Sequence, residues 1–497
     1  MRFTNQFLIT KQPCPPSFPG KQIYLADYKL YYHPSLPLAV SENSDLKIVI
    51  AGNLYDYQNP KWGNQKIAES LLKENENFEQ TLKATYKYSG EFILFFLKKT
   101  RGELKIFSDA TGQIELFFSI LPKGEVVAAT SYRLVELTVP LKKDTSVEAT
   151  EFFNSEAFKN KRTFVGQDTF YENLKRLIAN HYLDLKTGET VRFFPKEQKR
   201  KTTLKEAAGK SAVMLKGYVE AAANRHKLLI PVTAGWDSRV LLAASKEVTE
   251  KSIYYVYHME NNTANYDIEI PQKLFQKLNI PFRVFEQKIP TTEEKEKLIQ
   301  NAESDILFPN YRVGQRIEEI HKKYPGYLTL NGNISEIIRL HFDDVFFLSP
   351  KKIAYIQNYP GLNYALTRYE KWFELNKNEF EKYGYSVLDM LYWEENCSNW
   401  VAKFKAEFRA YGFEIFSPFN SRELILTLYG LPKKYRRKQN PVVYKKMIEM
   451  LWPDVLQVPV NPGFKKIAMR ITQYLGIFPI FRNLKLWWNL FKGRKRW

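Results

Sequence analysis

A carboxylate, a hydroxyl and three small residues share one short turn of this chain. In "LLIPVTAGWDSRVLLAASK", Thr233, Ala234 and Gly235 follow an apolar run and directly precede Asp237 and Ser238, with a second apolar run behind them. An apolar run, a small-residue turn and a second apolar run read as strand, turn and helix. The first N–H groups of such a helix have no intrahelical partner and carry partial positive charge, so they suit phosphate oxygens. The small residues let a phosphate reach the backbone, and Ser238 adds a donor. Asp237 would repel a bare phosphate, so a carboxylate here implies a Mg²⁺ ion between the two. On these residues alone, a helix simply N-capped by Asp237 or Ser238 stands level with the phosphate site.

Other stretches carry less chemistry. Gly209-Lys210-Ser211 in "LKEAAGKSAV" looks like the end of a P-loop, but Leu204 stands where the first glycine belongs and no strand precedes it. That motif works only between a strand and a helix, so plain helix is expected. His33, His181, His226, His258, His321 and His341 are isolated and are expected in structural roles. Cys14 and Cys397 are the only cysteines, which leaves no disulfide framework and no zinc-ligand spacing. Arg239 suits a substrate anion and a surface ion pair equally.

Two kinds of layer would position the turn. From about Leu46, "DLKIVIAGNLYDY", "GEFILFFLKK" and "GELKIFSDATGQIELFFSI" read as strands, with a helical segment between the first two and a further strand pair in "ANHYLDLKTGETVRFF". This is an α+β arrangement with antiparallel strands. A long helical pattern, "TLKEAAGKSAVMLKGYVEAAANRH", follows. Beyond it "KLLIPV", "SIYYVYHM", "PFRVFEQ" and "YLTLNG" alternate with helices beginning near Asp237, Tyr266, Pro309 and Asn333. Such alternation means crossover connections and a parallel α/β sheet. From about Phe346 to Pro462 the pattern is mainly helical, and the aromatic run "YSVLDMLYWEENCSNW" is expected in the core.

At 497 residues the chain exceeds one compact core, so two domains plus extensions are expected, and 44% hydrophobic content excludes a disordered chain. A net charge of +20 fits nucleic acid, an anionic membrane, polyanionic substrates or merely a lysine-rich surface. Neither an RNA-binding module nor a paired-cysteine sulfur carrier is visible, so a nucleic-acid partner is not expected. The charge is lopsided. No acidic residue follows Asp454, and "FRNLKLWWNLFKGRKRW" mixes Lys and Arg with Trp, Phe and Leu. That composition leads us to expect peripheral contact between the C-terminal tail and an anionic membrane. With no run of about 18 apolar residues and no signal-peptide pattern, a cytoplasmic or membrane-associated location is expected.

"LLIPVTAGWDSRVLLAAS" resembles the pyrophosphate-binding loop of the asparagine synthetase family, whose usual form is Ser-Gly-Gly-Leu-Asp-Ser-Ser after a strand. Thr233 stands at the first Ser, Gly235 at the second Gly, and Asp237 and Ser238 are unchanged; Ala234, Trp236 and Arg239 depart. "IVIAGNLYDY" is similar to the "NGEIYNY" strand of that family's amidotransferase half, and "KYSGEFILFFLKKTRGELKIFSDATGQIELFFS" to its "GMFAFALYD…RDRFGIKPLYY" stretch. "ANYDIEIPQKLFQKLNIPFRVF" looks like the helix and strand after the ATP loop, "LTLNGNISEIIR" takes the place of "SGEGSDELFGGY", and "GFEIFSPFNSREL" that of "ELRVPFLD". The resemblance runs in order from about Leu46 to Lys465.

It implies an Ntn-hydrolase-like antiparallel sandwich over residues 1–197. After it come an ATP-pyrophosphatase (HUP-like) parallel-sheet domain with a helical C-terminal region over 198–465 and a basic aromatic tail over 466–497. The implied activity is an AMP-forming carbon–nitrogen ligase that uses ATP and Mg²⁺ to activate a small-molecule carboxylate for attack by an amine or ammonia. By motif position, Asp237 and Glu336 are the Mg²⁺ carboxylates, and Thr233, Gly235, Ser238 and Gly332 cradle the nucleotide phosphates. Lys465 and Glu336 are the catalytic residues. Asn333 replaces the family's Glu that accepts a proton from the incoming amine, so Glu336 or another carboxylate serves, or the acceptor differs. The sequence opens Met1-Arg2-Phe3, and Cys14 lies between prolines. The expected N-terminal nucleophilic cysteine is thus missing, and the first domain is expected to lack glutaminase activity. A degenerate homologue serving as a scaffold fits the same departures.

Overall fold

"LKIVIAGNLYD" and "YSGEFILFFLK" each hold an unbroken apolar run, Ile48–Ala51 and Phe92–Leu97, which suits strands buried on both faces. They form the two longest strands, Leu46–Asp56 and Tyr88–Lys98, paired antiparallel from Leu46 opposite Lys98 to Asp56 opposite Tyr88. Because successive side chains point to opposite faces, each strand feeds two cores. Val49, Ala51, Ile93 and Phe95 pack into one, while Ile48, Ile50, Leu94 and Phe96 pack into the other. The computed structural model describes residues 3–258, 266–286, 291–302, 320–342, 344–410, 412–438, 441–460 and 477–491.

The first half holds two six-stranded antiparallel sheets. Their shared core takes Phe7, Ile9 and Leu30 from one and Val49, Phe95 and Ile106 from the other. The helix-like segment after the first long strand becomes two helices, Asn64–Glu74 and Phe78–Ala84. The pair expected near residue 190 forms as His181–Asp184 against Thr190–Arg192. Four strands before Leu46 were not legible: Phe7–Thr10, Lys21–Leu25, Tyr28–Tyr32 and Leu38–Glu42. Each has only four or five residues, too few for alternation to declare itself among prolines; Lys21–Leu25 and Leu38–Glu42 pair with the strands that follow them, and Phe7–Thr10 also pairs with the distant Ala128 and Ala129.

The second half carries a five-stranded parallel sheet. Its spatial order is Phe282–Glu286, Ser252–His258, Leu228–Pro231, Leu328–Leu330, Ile415–Phe416. The chain starts at the central strand, steps outward to one side, then returns and steps to the other. The strand order therefore reverses between Leu228–Pro231 and Leu328–Leu330, the place where open α/β sheets form a crevice at their carboxyl ends. Helix Leu204–Ala223 matches the expected long helix and carries Gly209, Lys210 and Ser211 in its interior, so the P-loop look-alike is helix. The helix expected near Asn333 spans only Ser335–Ile338, and the one expected near Pro309 falls outside the described residues.

The halves meet through buried polar contacts. Asn420 donates from Nδ2 to Asp109 Oδ1 at 2.9 Å, and Glu394, fully buried, accepts from Arg192, Asn180 and Trp372. The Arg422 guanidinium lies about 5 Å from the rings of Tyr86, Phe193, Phe194 and Trp393. Trp393 and Tyr392 are buried as expected for the aromatic run, but Glu394 and Glu395 beside them are buried ionisable groups.

Candidate functional site

Leu228–Pro231 is the sheet's central strand, and the chain leaves its carboxyl end through Val232–Gly235 into helix Trp236–Ala244. Gly235 occupies the N-cap with extended backbone and no side-chain cap hydrogen bond. The capped-helix alternative, with Asp237 or Ser238 as N-cap, is therefore not what forms; both residues lie inside the helix. Ser238 instead turns back and braces the loop, accepting from Thr233 N–H at 3.0 Å and lying 3.2 Å from Thr233 Oγ1. Gly235 N–H donates to Thr233 Oγ1 at 3.2 Å and Ala234 N–H to Asp267 Oδ1 at 3.1 Å. Thr233 and Ser238 thus shape the turn from within. Asp267, in the first turn of helix Tyr266–Leu278, presents a carboxylate to a loop N–H suited to an anion.

The neighbouring strand Leu328–Leu330 delivers the other half of the site. After it, Asn331–Ile334 curl tightly, Ile334 adopting a left-handed φ of 74°, and Ser335–Ile338 follow as one helical turn. Gly332 passes against the first element so closely that a Cβ built on it would lie 2.8 Å from Asp237 Cβ. Gly332 and Asp237 thus lie in contact, and Glu336 is near enough to feel the Asp237 charge. Asn333 is beside them, its carbonyl accepting from the Ser417 hydroxyl.

Electrostatics tie the two carboxylates together. Burial pushes Glu336 up to about 7, the Asp237 charge adds to the rise, and Arg339 offsets part of it. Burial likewise raises Asp237, again opposed by Arg339. Arg339 Nη2 donates to Asp237 Oδ2 at 2.6 Å, and the Lys438 charge reaches both carboxylates. The Asp237 side chain keeps 24% of its surface accessible, so this is a recessed surface and not a sealed core. Among the described residues, several polar atoms there are buried without a partner at hydrogen-bond geometry: Asp237 Oδ1, Glu336 Oε2, Trp236 Nε1 and both amide atoms of Asn331; the Ser335 hydroxyl lies close enough to lower Asp237 in part. Buried polar groups are normally satisfied. Unpaired acceptors of two adjacent carboxylates fit a divalent cation, and one or two carboxylates completed by phosphate oxygens is the set Mg²⁺ favours. Among the described residues no group of three or more His, Cys, Asp or Glu side chains gathers for a metal.

Lys465 lies outside the described residues. Arg239 meets neither of its two expected roles. It is fully buried and donates to the carbonyls of Val455 at 2.7 Å and Val458 at 3.2 Å, so it anchors the chain behind the site. Arg339, Lys438 and Asp267 were missed. Only Arg339 left a sequence signal, a cation three residues after Glu336 where one helical turn carries both to one side. The cysteines sit elsewhere: burial raises the Cys14 thiol, which lies 3.6 Å from the Pro15 carbonyl, and Cys397 is fully buried with its thiol pushed well up.

No protein-family model and no curated protein matches the chain. Among solved structures it is similar to glutamine phosphoribosylpyrophosphate amidotransferase from B. subtilis complexed with ADP and GMP. The identity is 12% over 55% of this chain and 64% of that one, with a TM-score of 0.23. The chain therefore spans less than two thirds of that protein's length, and at this TM-score we draw nothing from the likeness.

Proposed function

We propose that the protein is an ATP- and Mg²⁺-dependent ligase of the asparagine synthetase kind. It would activate a small-molecule carboxylate as an acyl-adenylate with release of pyrophosphate, then pass the acyl group to ammonia or a substrate amine. The observation that carries the proposal is the pairing of Asp237 with Glu336 at the strand-order reversal, each with a buried oxygen that has no hydrogen-bond partner among the described residues. Asp237 and Glu336 would hold the Mg²⁺ ion, which when bound neutralises the charge that grows on pyrophosphate as it leaves.

The chain's own residues would do the rest. The uncapped start of helix 236–244 presents N–H groups to phosphate, and Ser238 keeps the Thr233–Gly235 turn in shape. Arg339 and Lys438 add the positive charge that the expected Lys465 was to supply. Asn333 cannot accept a proton, so the acceptor amine would lose its proton to another base. Neither Cys14 nor Cys397 is placed as an activated nucleophile, which favours ammonia or a substrate amine over glutamine as nitrogen source. Residues 1–197 would then serve as an Ntn-like domain without glutaminase chemistry, and 198–465 as the synthetase domain.

The test is carboxylate-dependent exchange of labelled pyrophosphate into ATP over a panel of acids, with Asp237→Ala as control. Exchange that disappears in the variant supports the proposal, and no exchange with any acid counts against it. The Arg339–Asp237 ion pair favours one competing view, that of a retired site kept as a scaffold. Calorimetry separates them, because a scaffold has no need to bind Mg-ATP and a ligase must.

A further inference from the structure

Among the described residues, helix Ile477–Phe491 packs its buried side chains against the body along one side. Leu486 is buried, Leu490 packs on the core, and Asn489 Nδ2 donates to the Tyr355 hydroxyl at 2.9 Å. The opposite side carries Ile480, Phe481, Leu484, Trp487, Trp488 and Phe491, all exposed large apolar residues, with Phe491 73% accessible. Their spacing of one, three and four residues places them on a single stripe. Isolated exposed apolar residues need no explanation, but a continuous aromatic stripe on a helix does.

A second element joins this face. Phe346 and Phe347 form a loop tip beside the helix: Phe346 N–H donates to Asn483 Oδ1 at 2.8 Å, and Asn483 Nδ2 donates to the Asp344 carbonyl at 2.8 Å. The Phe347 ring is 93% exposed on a backbone with φ of 51°, a left-handed conformation that a bulky residue adopts at a cost. Lys352 Nζ holds the tip by donating to the carbonyls of Phe346 at 2.6 Å and Phe347 at 3.0 Å. Strain that turns an aromatic ring out into water makes no sense for packing; it does for a ring that enters another phase.

We propose that this helix and the Phe346–Phe347 tip form one surface that docks the protein on an anionic lipid bilayer. The charge selects the occupant. Lys485 lies on the helix beside the stripe, Lys352 holds the tip, and from residue 455 to the end the chain has nine Lys and Arg and no Asp or Glu. Pairing with a second copy would bring two such tails together, whereas an anionic leaflet attracts them. Trp and Phe favour the boundary between headgroups and acyl chains. With 15 residues the helix is too short to cross, and no helix among the described residues is long and apolar enough to do so, so the helix lies in the plane of the interface.

Sedimentation of the full chain with vesicles tests this, using phosphatidylcholine alone against phosphatidylcholine with about 30 mol% phosphatidylglycerol. Partitioning to the anionic vesicles is expected to exceed that to the neutral ones by at least about tenfold and to weaken with salt. Phe481→Glu with Trp487→Glu is expected to lower it by at least about tenfold, and Phe347→Ser several-fold. Thermal unfolding should stay unchanged, since these side chains are exposed in the folded protein. Equal partitioning to both vesicle types, or unaltered partitioning of the double variant, overturns the proposal. An unaltered Phe347→Ser variant overturns the two-element surface. Association of the lipid-free chain that the double variant abolishes, with no vesicle binding, assigns the face to a second copy and also overturns it.

Discussion

Arg339 and Asp237 share a hydrogen-bonded ion pair of 2.6 Å, so the cation that balances the carboxylate pair comes from the segment that carries Glu336. Positions 237 and 339 are about a hundred residues apart, and only the adjacency of two parallel strands makes them neighbours.

Replacing Arg339 with Met should expose the repulsion between Asp237 and Glu336. Without nucleotide, a divalent cation then becomes the best counter-charge, and Mn²⁺ affinity measured by calorimetry is expected to rise about tenfold. The metal-free protein should lose about 2–4 kcal/mol of stability. Unchanged or weaker Mn²⁺ binding would mean that the carboxylates do not act together.

Gly332→Ala tests the close approach of the two segments. The new Cβ would meet Asp237 Cβ at 2.8 Å, where neither atom is a flexible end, so Asp237 must move. A stability loss of about 1–3 kcal/mol is expected, with pyrophosphate exchange down by more than about tenfold. Gly209→Ala is the control, because nothing lies within 4 Å of the Cβ it would add and it stands inside helix Leu204–Ala223, outside both segments of the site. Denaturant midpoints and exchange rates of the two variants should separate clearly.

Glu394→Gln should uncouple the halves. Glu394 accepts from Arg192 Nη1 and Nη2, at 2.5 and 2.9 Å, and is held below the usual carboxylate range against the opposing effect of burial. Neutralising it strands a mostly buried arginine, and urea unfolding should show a loss of about 3 kcal/mol. Equal stability of the variant would show the ion pair to be dispensable.

Acid should weaken the fold before most carboxylates protonate. His181 and His321 are both lowered to about 4 by burial. Between their ordinary value of 6.5 and about 4 the unfolded chain binds more protons than the folded one. Stability therefore rises with pH through that window and falls as pH drops through it, by roughly 3 kcal/mol per histidine at the acid end. His181→Asn should flatten the dependence of the urea midpoint on pH between about 6.5 and 4.

By itself the sequence determined what is local. Apolar patterning marked Leu46–Asp56, Tyr88–Lys98 and the strands around residues 228 and 252, and the small residues before Asp237 marked a strand-to-helix turn. It paired Asp237 with Glu336 through resemblance alone, without the contact between Gly332 and Asp237. Tertiary structure decided what depends on distant partners. Arg239, next to the loop, turns inward to carbonyls some 220 residues away, whereas Arg339, unremarkable in sequence, reaches Asp237. The basic aromatic tail was legible as composition, but its two faces were not, since Leu486 is buried and Trp487 exposed only because helix 350–356 covers one side. Periodicity reports the conformation a segment prefers. Which side chain meets which follows from strand order and packing, and those are properties of the whole chain.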